Sequence, residues 1–208
     1  MKYIFLIFFV VLLLNISCTK NKKVNVEEYE IKNEEIEQNN KENNIDEKGI
    51  INLNNDIPIT DFRDTVNTIK LEHEQFKTNN IWNKEICSPI LDTELKIRFR
   101  TIINNAAFME PNFDGKYKIV IYGAGTGTIG YFILDLNTGN VYESNSYSYF
   151  GMDYSVNSSL LIINPPTEVI NYWGNESIPE WVQVEYLIIT NGELKLILLI
   201  DSNGKAYH

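Results

Sequence analysis

The spacing of the hydrophobic residues changes along this chain, and each change predicts a different kind of element. After Asp92 and Thr93, which can cap a helix, apolar residues recur every three or four positions. This spacing predicts one helix that ends near Phe108. Its apolar face comprises Leu95, Phe99, Ile102, Ile103 and Ala106.

Beyond residue 115 the helical spacing gives way to alternating and continuous apolar runs, which predict strands. The predicted strands are 117–122, 129–136, 140–143, 160–163, 182–190 and 194–200. Asn191-Gly192, between the last two, favours a type I′ hairpin turn, in which both residues have positive φ. Residues 137–139 predict a second hairpin. One helix followed by many strands predicts an α+β fold, with one N-terminal helix packed on a mainly antiparallel β-meander sheet.

The apolar run at residues 3–14 has a different character, because it follows Lys2 and is followed by Ser17 and Cys18. It is shorter than the about 20 residues that span a membrane, and a short apolar run behind a positive charge is typical of a signal peptide. The alternatives are an uncleaved signal anchor, or a plain secretory signal that is cut near Ser17. We expect residues 1–17 to be the signal peptide.

The end of this run resembles the relaxed lipobox of spirochaete lipoproteins, with Asn15 where the common bacterial motif has leucine. The resemblance implies that Cys18 is the lipidated residue. We therefore expect a cell-envelope protein held to a membrane through an acyl anchor, facing the periplasm or the cell surface.

Residues 18–56 have the composition of a tether. They are rich in acids, lysines and asparagines, contain no tryptophan or phenylalanine, and show no apolar period. Such segments stay disordered because they cannot bury enough apolar surface. A short helix over residues 27–37 is the alternative. Residues 57–208 are long enough for one core, so we expect a single α+β domain there.

The charge pattern narrows the choice of partner. The formal net charge is −10, and no lysine, arginine or histidine lies between Lys118 and Lys195. Nucleic acid and anionic ligands are poor partners for such a surface, because they need cationic side chains. The acids in this stretch are Asp135, Glu143, Asp153, Glu168, Glu176, Glu180, Glu185 and Glu193. We expect a basic protein or peptide as partner; an ordinary solvated acidic face is the alternative.

Aromatic residues are also concentrated between residues 147 and 181. Aromatic faces bind sugars and basic side chains, although most buried rings serve only packing. We expect residues 172–174 to be a loop that exposes Tyr172 and Trp173. Together with Glu168 and Glu176 they form the predicted binding site of a non-catalytic binding or inhibitor module.

Catalysis has little support in the sequence. Cys87 is predicted to be a buried apolar residue, and the chain has only two histidines, His73 and His208. Zinc requires more nitrogen or sulfur ligands than these, so we expect no catalytic residue, no metal and no cofactor. A cell-envelope hydrolase that uses Asp135 and Asp153 as a carboxylate pair is the alternative. Asp135, however, also starts a hairpin turn, where aspartate accepts from the backbone.

Residues 125–130 match the glycine spacing of a dinucleotide-binding loop. Such a loop must open a helix whose N-terminus holds the pyrophosphate, whereas strand residues follow here. The four glycines Gly123, Gly125, Gly127 and Gly130 instead predict a tight or bulged connection with close backbone approach.

Several fragments, which follow one another in the same order along the chain, also resemble a family of small secreted bacterial proteins with no assigned activity. They are residues 98–101, 106, 111–117, the glycine loop, 132–142, 153–154 and 159–164. The resemblance covers residues 92–200 and implies one exported domain without a catalytic residue. Members of this family often carry a cysteine pair in the glycine loop. This chain has none there, which implies no redox or disulfide role for that loop.

Overall fold

The computed structural model describes residues 61–208. The predicted signal peptide at 1–17, the lipidation site Cys18, the tether at 18–56 and the first residues of the predicted domain lie outside the described residues. Within residues 61–208, no helix has the length and apolarity that crossing a membrane requires.

The described residues form short helices and two antiparallel sheets, which confirms the α+β fold class. The helices are α1 (Phe62–Thr68), α2 (Glu94–Arg98), α3 (Arg100–Ala106) and α4 (Pro166–Trp173), with a 3₁₀ turn at His73–Phe76. The strands are β1 (Tyr117–Gly125), β2 (Thr128–Asp135), β3 (Val141–Glu143), β4 (Met152–Tyr154), β5 (Leu160–Ile163), β6 (Gln183–Thr190), β7 (Glu193–Asp201) and β8 (Ala206–Tyr207).

The strands pair in chain order, but they form two sheets instead of the single predicted meander. Strands β1–β3 make a three-stranded sheet, and β4–β8 make a five-stranded sheet. All six predicted strands are present. Strands β4 and β8 were not predicted, because two or three residues are too few to show an alternating pattern.

Side-chain alternation along the strands arranges the two sheets in layers. Tyr131 and Ile133 of β2 share one core with Leu161 of β5 and Leu187 of β6, so the sheets pack face to face there. The opposite face of the five-stranded sheet packs on α1 and α4, and the opposite face of the three-stranded sheet packs on α3. The order of the layers is therefore helix, sheet, sheet, helix.

The predicted helix near residue 100 differs from expectation in two ways. Thr93 caps it as predicted, accepting from the Lys96 amide at 3.3 Å, but Phe99 leaves helical geometry and divides it into α2 and α3. The Phe99 ring packs on Tyr122 and Phe132 of the sheet. Ile102, expected on the apolar face, is partly exposed, whereas its neighbour Ile103 is fully buried, since consecutive side chains of a helix point about 100° apart.

The predicted turns are confirmed. Asn191 and Gly192 both have positive φ, at 52° and 86°, and they join β6 to β7. Residues 137–139 join β2 to β3. The glycine loop joins β1 to β2 with a register shift between Gly123 and Gly125, so the predicted bulged connection is confirmed, and no helix follows it. The predicted close approach was wrong at Gly123, Gly125 and Gly127, where an added Cβ would meet nothing within 4 Å; at Gly130 it would lie 2.3 Å from the Tyr122 ring.

Candidate functional site

A cluster of aromatic rings at one end of the five-stranded sheet is the most distinctive surface of the described chain. We call it the aromatic face; it comprises Tyr149, Phe150, Tyr172, Trp173 and Trp181. Phe150 lies at its centre, 5.3 Å from the Tyr172 ring and stacked at 6.1 Å on the Trp181 ring. Tyr149 packs on Trp181 at 4.9 Å, and Tyr172 meets Trp173 edge-on at 5.2 Å.

The rings of the aromatic face differ in exposure. Tyr172 is 71% exposed, Trp181 is 53% exposed and Tyr149 is 47% exposed, whereas Phe150 and Trp173 pack partly against the core under α4. The exposed Tyr172 and Trp181 rings therefore pack on Phe150 and Trp173, which are themselves held against the core. Large rings that are already ordered lose little conformational entropy on binding, which suits them to recognition.

The prediction for residues 172–174 was wrong in two respects, the loop and the exposure of Trp173. Tyr172 and Trp173 lie in the last turn of helix α4, not in a loop, because Pro166 begins a helix whose residues Val169, Ile170 and Trp173 pack on the core. Tyr172 is exposed as expected. Trp173 is half-buried, and its indole nitrogen is buried with no hydrogen-bond partner among residues 61–208.

The buried side chain of Asn164 holds two parts of the aromatic face together. Its Oδ1 accepts from the backbone amides of Tyr149 at 2.8 Å and Phe150 at 3.1 Å, and from the Ser148 hydroxyl at 3.2 Å. Its Nδ2 donates to the Gln183 carbonyl at 2.9 Å, two residues beyond Trp181. Asn164 thus connects the loop that carries the Tyr149 and Phe150 rings to the start of β6, which follows Trp181.

The C-terminus of α4 is fixed by a residue from the other end of the described chain. Arg63 of α1 donates to the carbonyls of Gly174 and Glu176, the latter at 3.0 Å. A cation at a helix C-terminus also opposes the negative end of the helix dipole. This contact brings a base from outside the base-free stretch to the end of α4.

Three exposed glutamates border the aromatic face. Glu168 lies in the first turn of α4, and Glu176 and Glu180 lie in the segment between α4 and Trp181. Their side chains form no ion pair within residues 61–208. The four predicted binding residues, Tyr172, Trp173, Glu168 and Glu176, therefore lie in one region, but Trp173 contributes mainly packing.

Two of the other acids in the base-free stretch are matched by bases that lie outside it. Lys116 donates to the buried Asp135 at 3.0 Å, and His73 contacts the exposed Asp153 at 3.1 Å. Desolvation lowers the pKa of Lys116, but the hydrogen bond and charge of Asp135 outweigh it, so the net pKa is raised. Asp135 also accepts from the Asn137 amide at 2.9 Å, which confirms its predicted turn role.

The proposed carboxylate pair is not assembled. Met152 and Tyr154 of β4 pack toward the three-stranded sheet, so alternation directs Asp153 to the opposite face of the five-stranded sheet. Asp135 lies at the end of β2 in the three-stranded sheet. The two carboxylates therefore do not face a common cavity, as acid and base residues of a hydrolase must.

A concave region lies where the two sheets separate, between β2–β3 and β6–β7. It is a cleft of about 670 Å³ that includes Glu143, Glu185 and Glu193 in its lining. The sequence offered no signal for this cleft, because its residues come from distant strands.

Cys87 is buried as predicted, and its thiol donates to the Asn137 carbonyl at 3.3 Å. Within residues 61–208, no group of three histidine, cysteine, aspartate or glutamate side chains is arranged to hold a metal ion. No family model, curated protein or solved structure matches this chain.

Proposed function

We propose that this protein is a membrane-anchored lipoprotein whose domain binds a basic protein or peptide without performing catalysis. The observation that carries the proposal is the aromatic face. Its exposed rings, Tyr149, Tyr172 and Trp181, surround the partly buried Phe150 and are bordered by glutamates that form no ion pair among residues 61–208.

The aromatic rings supply the short-range part of this recognition. Guanidinium and ammonium groups bind over the faces of tryptophan and tyrosine, and such contacts contribute about 0.5–1 kcal/mol each at exposed sites. Tyr172 and Trp181 present the most exposed rings of the face. We therefore propose that Tyr172 and Trp181, and not Trp173, make the main short-range contacts with the partner.

The glutamates supply the long-range part. Glu168, Glu176 and Glu180 attract a cationic partner, and this attraction weakens as salt shortens the screening length from about 10 Å at 0.1 M to about 3 Å at 1 M. Arg63 reduces the local negative charge, but it donates to the backbone carbonyls of Gly174 and Glu176 and forms no ion pair with a glutamate side chain of the described residues.

Membrane attachment through Cys18 is the second part of the proposal and is supported by the sequence of residues 1–18. Cys18→Ala should release the protein from membranes or leave its precursor unprocessed. Labelled palmitate appearing equally in the wild-type and Cys18→Ala proteins would sink the anchoring proposal.

Binding can be tested with an arginine-rich peptide and its citrulline counterpart, which has the same shape without the charge. The arginine peptide should bind, more weakly as salt rises. Tyr172→Ala and Trp181→Ala should weaken binding at any salt concentration, whereas Glu168→Gln combined with Glu176→Gln should weaken it only at low salt.

Two surface variants serve as controls. Tyr147 is about as exposed as Tyr149 but makes none of the ring contacts of the aromatic face, so Tyr147→Ala should bind normally. Glu110→Gln removes an exposed acid on a segment outside the face and should also bind normally. Equal binding of the citrulline peptide, or binding that does not depend on ionic strength, would overturn the electrostatic part of the proposal.

A further inference from the structure

The cleft between the sheets has features that the aromatic face does not share. Strand alternation directs Tyr131 and Ile133 of β2 into it from one side. From the other side, Glu185 lies on the same face of β6 as Leu187, and Leu196 of β7 is the cross-strand partner of Leu187. The cleft is therefore lined by the inner surfaces of both sheets.

The Tyr131 hydroxyl is the first indication of a ligand. The residue is only 1% exposed, and its hydroxyl has no hydrogen-bond partner of ordinary geometry among residues 61–208. Burial raises the pKa of this phenol to about 12, the Ser144 side chain opposes the rise, and the charge of Glu185 adds to it. The hydroxyl is therefore neutral near pH 7, and a buried hydroxyl without a partner is costly.

The charge of the cleft is the second indication. Glu185 is half-buried and accepts from the Ser146 hydroxyl at 2.6 Å, and Glu143 accepts from the Thr93 hydroxyl. Lys96 also lines the cleft, but its ammonium binds Asp92 at 2.5 Å. Within the described chain, no ion pair neutralises Glu143, Glu185 or Glu193.

The apolar wall is the third indication. Leu196 is 47% exposed although it lies on the inner face of its strand, and Leu194 and Ile133 also line the cleft. An exposed leucine beside the half-buried Glu185 and the exposed Glu143 and Glu193 offers a surface to a ligand that is apolar at one end and cationic at the other. The cleft volume lies within the about 300–1,000 Å³ that is usual for small-molecule sites.

We propose that this cleft binds a small aliphatic amine, whose ammonium group contacts Glu185 and, after a side-chain movement that uncovers it, the Tyr131 hydroxyl, while its hydrocarbon chain lies on Leu196. An ammonium group has three N–H donors, so it can satisfy the Glu185 carboxylate and the Tyr131 oxygen together. Anionic ligands do not suit the site, because Lys96, the one cation that lines it within the described chain, is already bound to Asp92. The proposal is independent of the partner proposed for the aromatic face.

The test is calorimetric titration of the full chain in nonionic detergent, with the heat of titrating empty micelles subtracted. The probes are hexylamine, hexanol and hexanoate, which share one hydrocarbon chain and differ in charge. Hexylamine should bind, hexanol should bind about tenfold more weakly, and hexanoate should not bind. Equal affinity for hexylamine and hexanol, or no binding of hexylamine, would overturn the proposal.

Variants identify the site. Glu185→Gln should weaken hexylamine binding about tenfold while leaving hexanol binding unchanged. Glu193→Gln changes an exposed hairpin residue that cannot disturb the core, and it should weaken hexylamine less. Glu168→Gln, on the aromatic face, should have no effect. Unchanged hexylamine binding in Glu185→Gln, with the melting temperature also unchanged, would refute the assignment.

Discussion

Replacing Asn164 by alanine tests how the aromatic face is held. Asn164 is 4% exposed, and its side chain connects the loop of Tyr149 and Phe150 to the Gln183 carbonyl. Its backbone also has a positive φ of 53°, a conformation that asparagine tolerates better than alanine does. Asn164→Ala therefore removes a hydrogen-bonding centre and adds backbone strain.

The magnitude follows from these losses. Each backbone amide left without an acceptor costs about 1–3 kcal/mol, and the lower value applies at Tyr149 and Phe150, since water can reach a partly buried loop. Alanine in the left-handed region costs about 1 kcal/mol more. We expect the free energy of unfolding to fall by about 3 kcal/mol, which corresponds to a melting temperature lower by about 6–12 °C for a domain of this size.

The assay is urea unfolding followed by circular dichroism and by tryptophan fluorescence. Asn164→Gly is the informative companion, because glycine adopts positive φ freely and should recover about 1 kcal/mol relative to alanine. Asn171 is an exposed asparagine of α4, and Asn171→Ala should change stability by no more than about 0.5 kcal/mol.

An Asn164→Ala protein with wild-type stability would refute the inference that these hydrogen bonds hold the loop. Equal stability of the alanine and glycine variants would refute only the inference that positive φ at residue 164 strains alanine. Asn164→Ala should also weaken the proposed binding of the arginine peptide, since it releases the loop that carries Tyr149 and Phe150.

Two further predictions concern the strands around the cleft. Gly192→Val should lower the free energy of unfolding by at least about 1 kcal/mol, because valine resists positive φ and its Cβ would lie 2.3 Å from the Tyr142 hydroxyl; unchanged urea unfolding would contradict this. Burial raises the pKa of Tyr131 from 10.0 to about 12, so the folded protein retains this proton more strongly than the unfolded chain. The stability that this proton contributes is complete below about pH 10 and is lost as the pH rises toward 12. In urea titrations across this range, Tyr131→Phe should therefore lose less stability than the wild-type protein. An equal loss in both proteins would contradict the prediction.

Local features of the chain were predictable from sequence. The turn at Asn191-Gly192, the capping of α2 by Thr93 and the turn role of Asp135 each depend on residues within a few positions of one another. The alternating and continuous apolar runs also indicated where six of the strands lie. These features follow from backbone preferences and side-chain period, which short segments carry by themselves.

The candidate site was predicted only in part, because the exposure of each side chain was inferred from its neighbours in the sequence alone. Glu168, Glu176 and Tyr172 are exposed as expected. Trp173 was expected to be exposed too, but helix formation from Pro166 turns it toward the core. Hydropathy cannot distinguish an exposed tryptophan from a half-buried one when the packing partner lies on a distant strand.

Six of the eight strands of the described chain, the hairpin turns and the excess of acid over base can be predicted from the amino-acid sequence alone. The division of the strands into two sheets, the contact of Arg63 with Gly174, and the cleft shared by Glu185 and Tyr131 depend on tertiary packing. The two groups differ in the range of the interactions that form them. Period and turn chemistry act over a few residues, whereas a cleft requires strands distant in sequence to pack face to face, and a pattern that specifies burial does not specify the partner.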